Sequence, residues 1–173
     1  MQVYFTSDLH LGHKSICKYR TKFTSSTDHD EYIFSLFDSL NKRSILYILG
    51  DFLFSGQHFD SYIERLKSYP FQFRIVMGNH DSKQLYSVQA PNISVELPLF
   101  QYKSMWLSHC PIHQSEMRDR IGNVHGHLHL QTLDDPLYYN VNLDVNDYQF
   151  VPLETIKSHF KEHHAILSQS SVI

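Results

Sequence analysis

The chain has 173 residues, 42% of them hydrophobic and 19% charged, with a net charge of -3 when histidine is neutral. This length suits one domain with its own core, read as a single domain over residues 1–173. The mild acidic balance excludes a broad basic coat for a polyanion, so long nucleic acid is not an expected partner. No apolar run approaches the roughly 20 residues of a membrane span, and the opening MQVYFTSDLH lacks a secretory pattern. Cys17 and Cys110 form no CxxC pair, which excludes a disulfide framework or a thiolate zinc site and fits a reducing cytoplasm.

Met1 to Ser7 is an apolar, β-prone run that stops at Asp8. Residues 30–43 have helical spacing through Ile33, Leu36, Phe37 and Leu40. Ser44 to Leu49 has the continuous apolar character of a buried strand and ends at Gly50-Asp51. A second helical pattern covers 58–69 through Phe59, Tyr62, Ile63 and Leu66. Phe71 to Met77 is a further strand, ending at Gly78-Asn79-His80-Asp81. This alternation predicts βαβ units with parallel strands. Four more strands are predicted at Ile93–Tyr102, Ser104–Ser108, Asn123–His129 and Tyr138–Val145. A final helix follows with Pro152 at its first position and Leu153, Ile156 and Phe160 on its apolar side.

The informative polar residues stand where strands stop. They are Asp8 and His10, Asp51, Asn79 with His80 and Asp81, His109, and His127 with His129. Ligands of open α/β sheets bind beyond the carboxyl ends of strands, so these ends predict one convergent cluster. Imidazole nitrogen with carboxylate and amide oxygen suits borderline divalent ions. Asp-x-His and His-x-His place two donors on one side of an extended chain, because side chains repeat with period two. Each piece alone has a plainer reading: a capping pair, a turn, a core histidine, a solvated strand face. Their joint occurrence, in order, favours chemistry. The chain carries no GxxxxGK[ST], GxSxG or HExxH, nor a GxGxxG after a strand.

The ordered set DxH, GD, GNHD, H and GHLH resembles the calcineurin-like metallophosphoesterase superfamily. DLHLGHKSI over 8–16 and the Asp-rich segment 142–147 are similar to a small single-domain subgroup of it. The resemblance implies an α/β fold, a four-layer α/β/β/α sandwich of two mixed β-sheets flanked by helices. It also implies two divalent metal ions, with manganese the first expectation and iron, zinc, nickel or cobalt as alternatives. Asp8, His10 and His129 would hold one ion and Asn79, His109 and His127 the other, with Asp51 bridging. His80 would deliver a proton to the leaving oxygen, oriented by Asp81. A metal-activated hydroxide would attack phosphorus, since bound metal brings the pKa of water to about 7.

The implied activity is hydrolysis of a small phosphate ester, a nucleotide or aryl phosphodiester first and a phosphomonoester second. A non-catalytic scaffold is the competing class, and the presence of His80 argues against it. His13 and Arg20 are candidate phosphate contacts. His125, His113 and Asn142 are candidates for support of the site or its rim. His29, His58, His159, His163 and His164 read as solvent-facing, and oligomeric state is open.

Overall fold

The computed structural model describes residues 1–54, 56 and 58–170, with side chains described through 163. The first sheet contains β1 (Gln2–Thr6), β2 (Ser44–Leu49), β3 (Gln72–Val76), β4 (Ile93–Glu96) and β9 (Val151–Pro152), in the order β4-β3-β2-β1-β9. Strands β1 to β4 are parallel and β9 is antiparallel to β1. The second sheet contains β5 (Leu99–Tyr102), β6 (Met105–Ser108), β7 (Gly122–His125) and β8 (Tyr138–Asn140), in that order. Its β5–β6 pair is antiparallel, and β6–β7 and β7–β8 are parallel. Two mixed sheets flanked by helices are the architecture expected from the sequence.

One face of the first sheet offers Leu46, Ile48, Phe73 and Ile75. It is covered by Ile33, Phe34 and Phe37 of α1 (Ser26–Asp38) and by Phe59, Ile63 and Leu66 of α2 (Phe59–Lys67). The other face offers Val3, Phe5, Tyr47, Leu49 and Val76 to Met105, Leu107 and Val124 of the second sheet. Each fully buried ring or branched chain contributes about 1.5–3 kcal/mol. Helix α3 (Leu153–Ser170) adds Ile156 and Phe160 to this second core, and Phe160 fills the space beside Gly122. Segment 109–121 is tied to the second sheet through Asn123, which accepts from Ile112 N at 2.9 Å, and Trp106, whose indole donates to Glu116 O at 3.1 Å.

Several boundaries differ from the sequence reading for local reasons. Helix α1 starts earlier because Ser25 caps it, accepting from Asp28 N at 3.0 Å. It ends before residue 43 because Asn41 turns the chain, accepting from Arg43 N at 2.9 Å. Ile93–Tyr102 is two strands in two sheets, so residues 97–98 carry the crossover. Pro152 belongs to edge strand β9, the kind of strand that tolerates proline, and α3 starts at Leu153. The predicted strands 123–129 and 138–145 stop at His125 and Asn140, since the chain then turns into the site.

Candidate metal centre

Strands β1, β2, β3, β6 and β7 deliver their polar residues to one place. Three groups of His, Cys, Asp or Glu ligand atoms lie within 4.8 Å of one another there: Asp8, His10 and His129; Asp8, Asp51 and His109; and His109, Cys110 and His127. His129 Nε2 is 3.8 Å from Asp8 Oδ1, and His10 Nε2 is 3.9 Å from Asp51 Oδ2. His109 Nε2 is 3.4 Å from Asp51 Oδ1, 2.9 Å from Asn79 Oδ1 and 3.2 Å from His127 Nδ1. The structure thus brings all seven predicted metal-ligating residues together, with Asp51 between two groups.

The backbone that achieves this is not extended. Asp8, His10, Asp51, His127 and His129 have φ of 57°, 51°, 50°, 70° and 50°. The period-two argument for Asp-x-His and His-x-His therefore fails. Donors converge because left-handed residues curl the loop around a common centre. Such a conformation costs about 1 kcal/mol or more per residue, and Asp and His tolerate it better than bulkier residues. Hydrogen bonds offset the cost. Asp8 N donates to Gly50 O, and His10 N to Asp51 O, both at 2.9 Å. His127 N donates to Asp8 Oδ2 at 3.0 Å. A side chain at Gly78 would collide with the Asp51 carboxylate, and one at Gly126 with Ser7 and Asp8, so both positions need close backbone approach.

Arg20 does not reach outward as a phosphate contact. It is 3% exposed. Its Nε donates to Asp144 Oδ1 at 2.8 Å, and its guanidinium also donates to Asp8 O at 2.6 Å and Leu9 O at 3.3 Å. It clamps the left-handed loop from below. Its neighbour His29 is fully buried rather than solvent-facing, because Arg20 Nη1 lies 2.9 Å from His29 Nε2 and Asp30 Oδ1 lies 2.7 Å from His29 Nδ1. Asp30 in turn accepts from Gly12 N at 3.0 Å and from the Tyr62 hydroxyl at 2.7 Å. On the other side Asp144 Oδ2 lies 2.9 Å from His129 Nδ1, which turns Nε2 toward Asp8. Asn142 sets the turn carrying Asp144 by accepting from Asp144 N at 2.8 Å.

Asp81 also departs from its expected role. Its carboxylate accepts from Phe52 N, Leu53 N and Gly78 N at 2.7–2.9 Å, so it ties two loops together and does not hold the His80 ring. His80 is anchored through its backbone N–H, which donates to Asp51 Oδ1 at 2.9 Å. The exposed His80 ring stacks on Phe54 at 5.6 Å and stands 6.0 Å from the His10 ring. His13 stacks on Phe54 as well, at 4.6 Å, and borders His10. His125 is buried with Nδ1 on Gly126 O at 2.8 Å, while exposed His113 caps the turn at 114–116. His58 is exposed, His159 is half-buried against Tyr139, His163 is partly exposed, and the side chain of His164 lies outside the described residues.

Burial dominates the electrostatics of the cluster. Burial pushes the Asp8 carboxyl above its ordinary value, only partly opposed by the Ser7 hydroxyl and by histidines. Burial, reinforced by Arg20, pushes His10 down to about 2, so its ring is neutral. Burial acts to raise Asp144, but hydrogen bonds from His129 and Arg20 outweigh it and hold the carboxyl well below the usual range. The Asp144 hydrogen bond raises His129. Asp8 Oδ1 and His10 Nδ1 are buried without a hydrogen-bond partner. A buried carboxylate oxygen left unpaired amid lone pairs fits a cation in the centre.

Cys110 and Phe54 are site neighbours that the sequence pattern does not single out: the cysteines form no CxxC, and only their nearness to motif residues is a signal. Among the described residues, no helix is long and apolar enough to cross a membrane.

Comparison with known proteins agrees with the geometry. The chain is 27% identical over 189 residues to the Gene 66 protein of Mycobacterium phage D29, covering 90% of this chain and 94% of that protein. Its fold is similar to that of a protein of unknown function from Aquifex aeolicus, with a TM-score of 0.68 and 22% identity, covering 91% and 98% of the two chains. It is also similar to a Pseudomonas putida nuclease, with a TM-score of 0.50 and 19% identity, covering 73% and 60%. The profile of the calcineurin-like phosphoesterases matches residues 1–171. Clustered His and Asp ligand atoms, on a pair of mixed sheets that this profile spans almost end to end, place the chain in the calcineurin-like phosphoesterase family of metal-dependent phosphoric ester hydrolases.

Proposed function

We propose that the chain is a dinuclear phosphodiesterase acting on small nucleotide or aryl phosphodiesters. The observation that carries this reading is the shared Asp51. One carboxylate oxygen faces His10 and the other faces His109, so two groups of ligand atoms meet on one residue. In this reading Asp8, His10 and His129 hold one divalent ion, and Asn79, His109 and His127 hold the other. Manganese is the preferred ion; iron, zinc, nickel and cobalt suit the same donors. When bound, the ions supply Lewis acidity that lowers the pKa of water and offsets phosphoryl charge.

The chain's own groups do the rest. His80 stands over the mouth, its ring held by Phe54 and its backbone by Asp51, with an edge open to solvent. Its imidazole N–H can hand a proton to the departing oxygen. Asn79 and His80 are exposed and His129 is half-exposed, so the site opens directly on solvent. An open site admits a phosphorus atom with two ester substituents. The likeness in fold to a nuclease, an enzyme of phosphodiesters, supports the diester side.

The test is hydrolysis of a chromogenic phosphodiester and the matching monoester by chelated protein given back manganese. The expected result is metal-dependent turnover faster on the diester, reduced about 100-fold or more in His80→Ala. Turnover confined to monoesters would overturn the diester assignment. Undiminished turnover in the variant would remove His80 from proton delivery. No turnover of any ester by metal-loaded protein would favour the scaffold.

A further inference from the structure

Cys110 is a residue of the second group that the proposed reaction does not use. Its Sγ, one ring nitrogen of His109 and one of His127 lie within 4.8 Å of one another. The three differ in exposure. His109 is 5% exposed and forms the floor, while Cys110 is exposed at the solvent side. Both are held in place. The Ser108 hydroxyl donates to Cys110 O at 2.6 Å, and the following Pro111 restricts Cys110 to extended backbone. His109 Nδ1 donates to Leu49 O at 2.9 Å, which leaves the Nε2 lone pair facing His127 Nδ1 at 3.2 Å.

At Nε2, His127 Nδ1, Asn79 Oδ1 and Asp51 Oδ1 all crowd the same lone pair. A single proton can satisfy one of these contacts; a cation satisfies all of them. The nearby sulfur then decides which cation. Cys thiolate and His nitrogen are both common ligands of zinc, so a sulfur beside two imidazoles suits it. Harder ions such as manganese favour oxygen and leave a thiol alone.

We infer that Cys110 is a conditional ligand of the second metal position: a thiophilic ion such as zinc or cobalt(II) is held by His109, His127 and Cys110 Sγ, whereas manganese leaves the sulfur free. The inference rests on the reading of His109 and His127 as metal ligands. Ligation releases the thiol proton to solvent and adds a negative charge to the position. The second position thereby senses which metal fills it.

Metal-free full-length protein titrated with cobalt(II) and followed by absorption spectroscopy tests this. Wild type and Cys17→Ser are expected to show the near-ultraviolet sulfur-to-cobalt charge-transfer band. Cys110→Ser is expected to lose that band, keep the visible cobalt bands of a histidine-bound ion, and bind zinc at least about tenfold more weakly. Visible bands without charge transfer in wild type would overturn the role of Cys110 and leave the histidine site standing. A charge-transfer band that persists in Cys110→Ser would also overturn it. Absence of every cobalt band would overturn both the inference and the metal reading beneath it.

Discussion

The two halves of the centre are built from different materials. Around Asp8, His10 and His129 the support is ionic and buried. Arg20 and Asp144, with side chains 2% and 8% exposed, brace the loop from beneath. Around Asn79, His109 and His127 there is no comparable Arg–Asp brace among the described residues: a backbone carbonyl orients His109, Asp8 holds His127 through the His127 backbone N–H, and Asn79 and Cys110 stand in solvent. The first half is thus part of the fold's interior, and damage to it reaches stability. In the second half the buried His109 forms the floor, while Asn79 and Cys110 form a rim where one donor can replace another without disturbing the core.

Asp51 lies against His10 and His109, one from each half, so its loss is expected to give the largest effect. Asp51→Asn is expected to lower metal-dependent phosphoesterase turnover by more than about 100-fold, with manganese stoichiometry falling below that of wild type. Metal content and turnover measured together check this, and a variant that keeps full stoichiometry would deny Asp51 its bridging place.

The ionic brace comes next. Asp144→Asn removes the partner of Arg20 and the orienting bond of His129. The expected outcome is a loss of about 10–100-fold in metal affinity, with destabilisation of about 3–5 kcal/mol from the buried unpaired guanidinium. Asn79→Ala, at the exposed rim of the second half, is expected to weaken metal binding with little change in melting temperature. Equal melting losses in the two variants would erase the contrast between the two halves.

Smaller effects come from the buried charges of metal-free protein. Asp8 is raised by burial, so its stabilising contribution is present below the unfolded value of about 3.9 and is lost as pH rises through the folded one. Asp8→Asn should therefore melt higher than wild type at pH 7 without metal, by about 2–4 °C, although it is expected to bind metal more weakly. The advantage should vanish below about pH 3.9. His10 acts in the opposite sense. Its folded value of about 2 lies below the unfolded one, so stability declines as pH falls from about 6.5. Calorimetry of chelated protein across this range reads both slopes, and an Asp8→Asn variant melting below wild type at pH 7 would contradict the burial argument.

The smallest expected change concerns the ring beneath His80. Phe54→Leu keeps an apolar filler but removes the stack, worth about 0.5–1.5 kcal/mol, and should slow turnover by about 2–10-fold at unchanged metal affinity. Unchanged turnover would mean that Asp51 alone, through the backbone, positions His80.

Much of this protein can be read from its sequence. The strand-helix order of residues 1–96 follows from apolar periodicity, because each element there buries a face fixed by its own repeat. The residues of the centre follow from their types and from their places after strands. Legibility fails where a residue's role depends on something distant in the chain. Arg20 has the chemistry of a phosphate contact and is instead consumed by Asp144, 124 residues away. His29 looks polar and exposed until Arg20 and Asp30 meet it in the interior. Asp81 lies beside His80 in sequence yet bonds the backbone after Asp51.

The sequence by itself determined which donors exist, in which order, and that strand ends would present them; these are local properties of residue type and hydrophobic pattern. Tertiary structure alone decided how the donors aim. Positive φ at Asp8, His10, Asp51, His127 and His129 is unfavourable in an isolated chain and persists only where carbonyls, the Arg20 clamp and glycine clearances from other strands hold it.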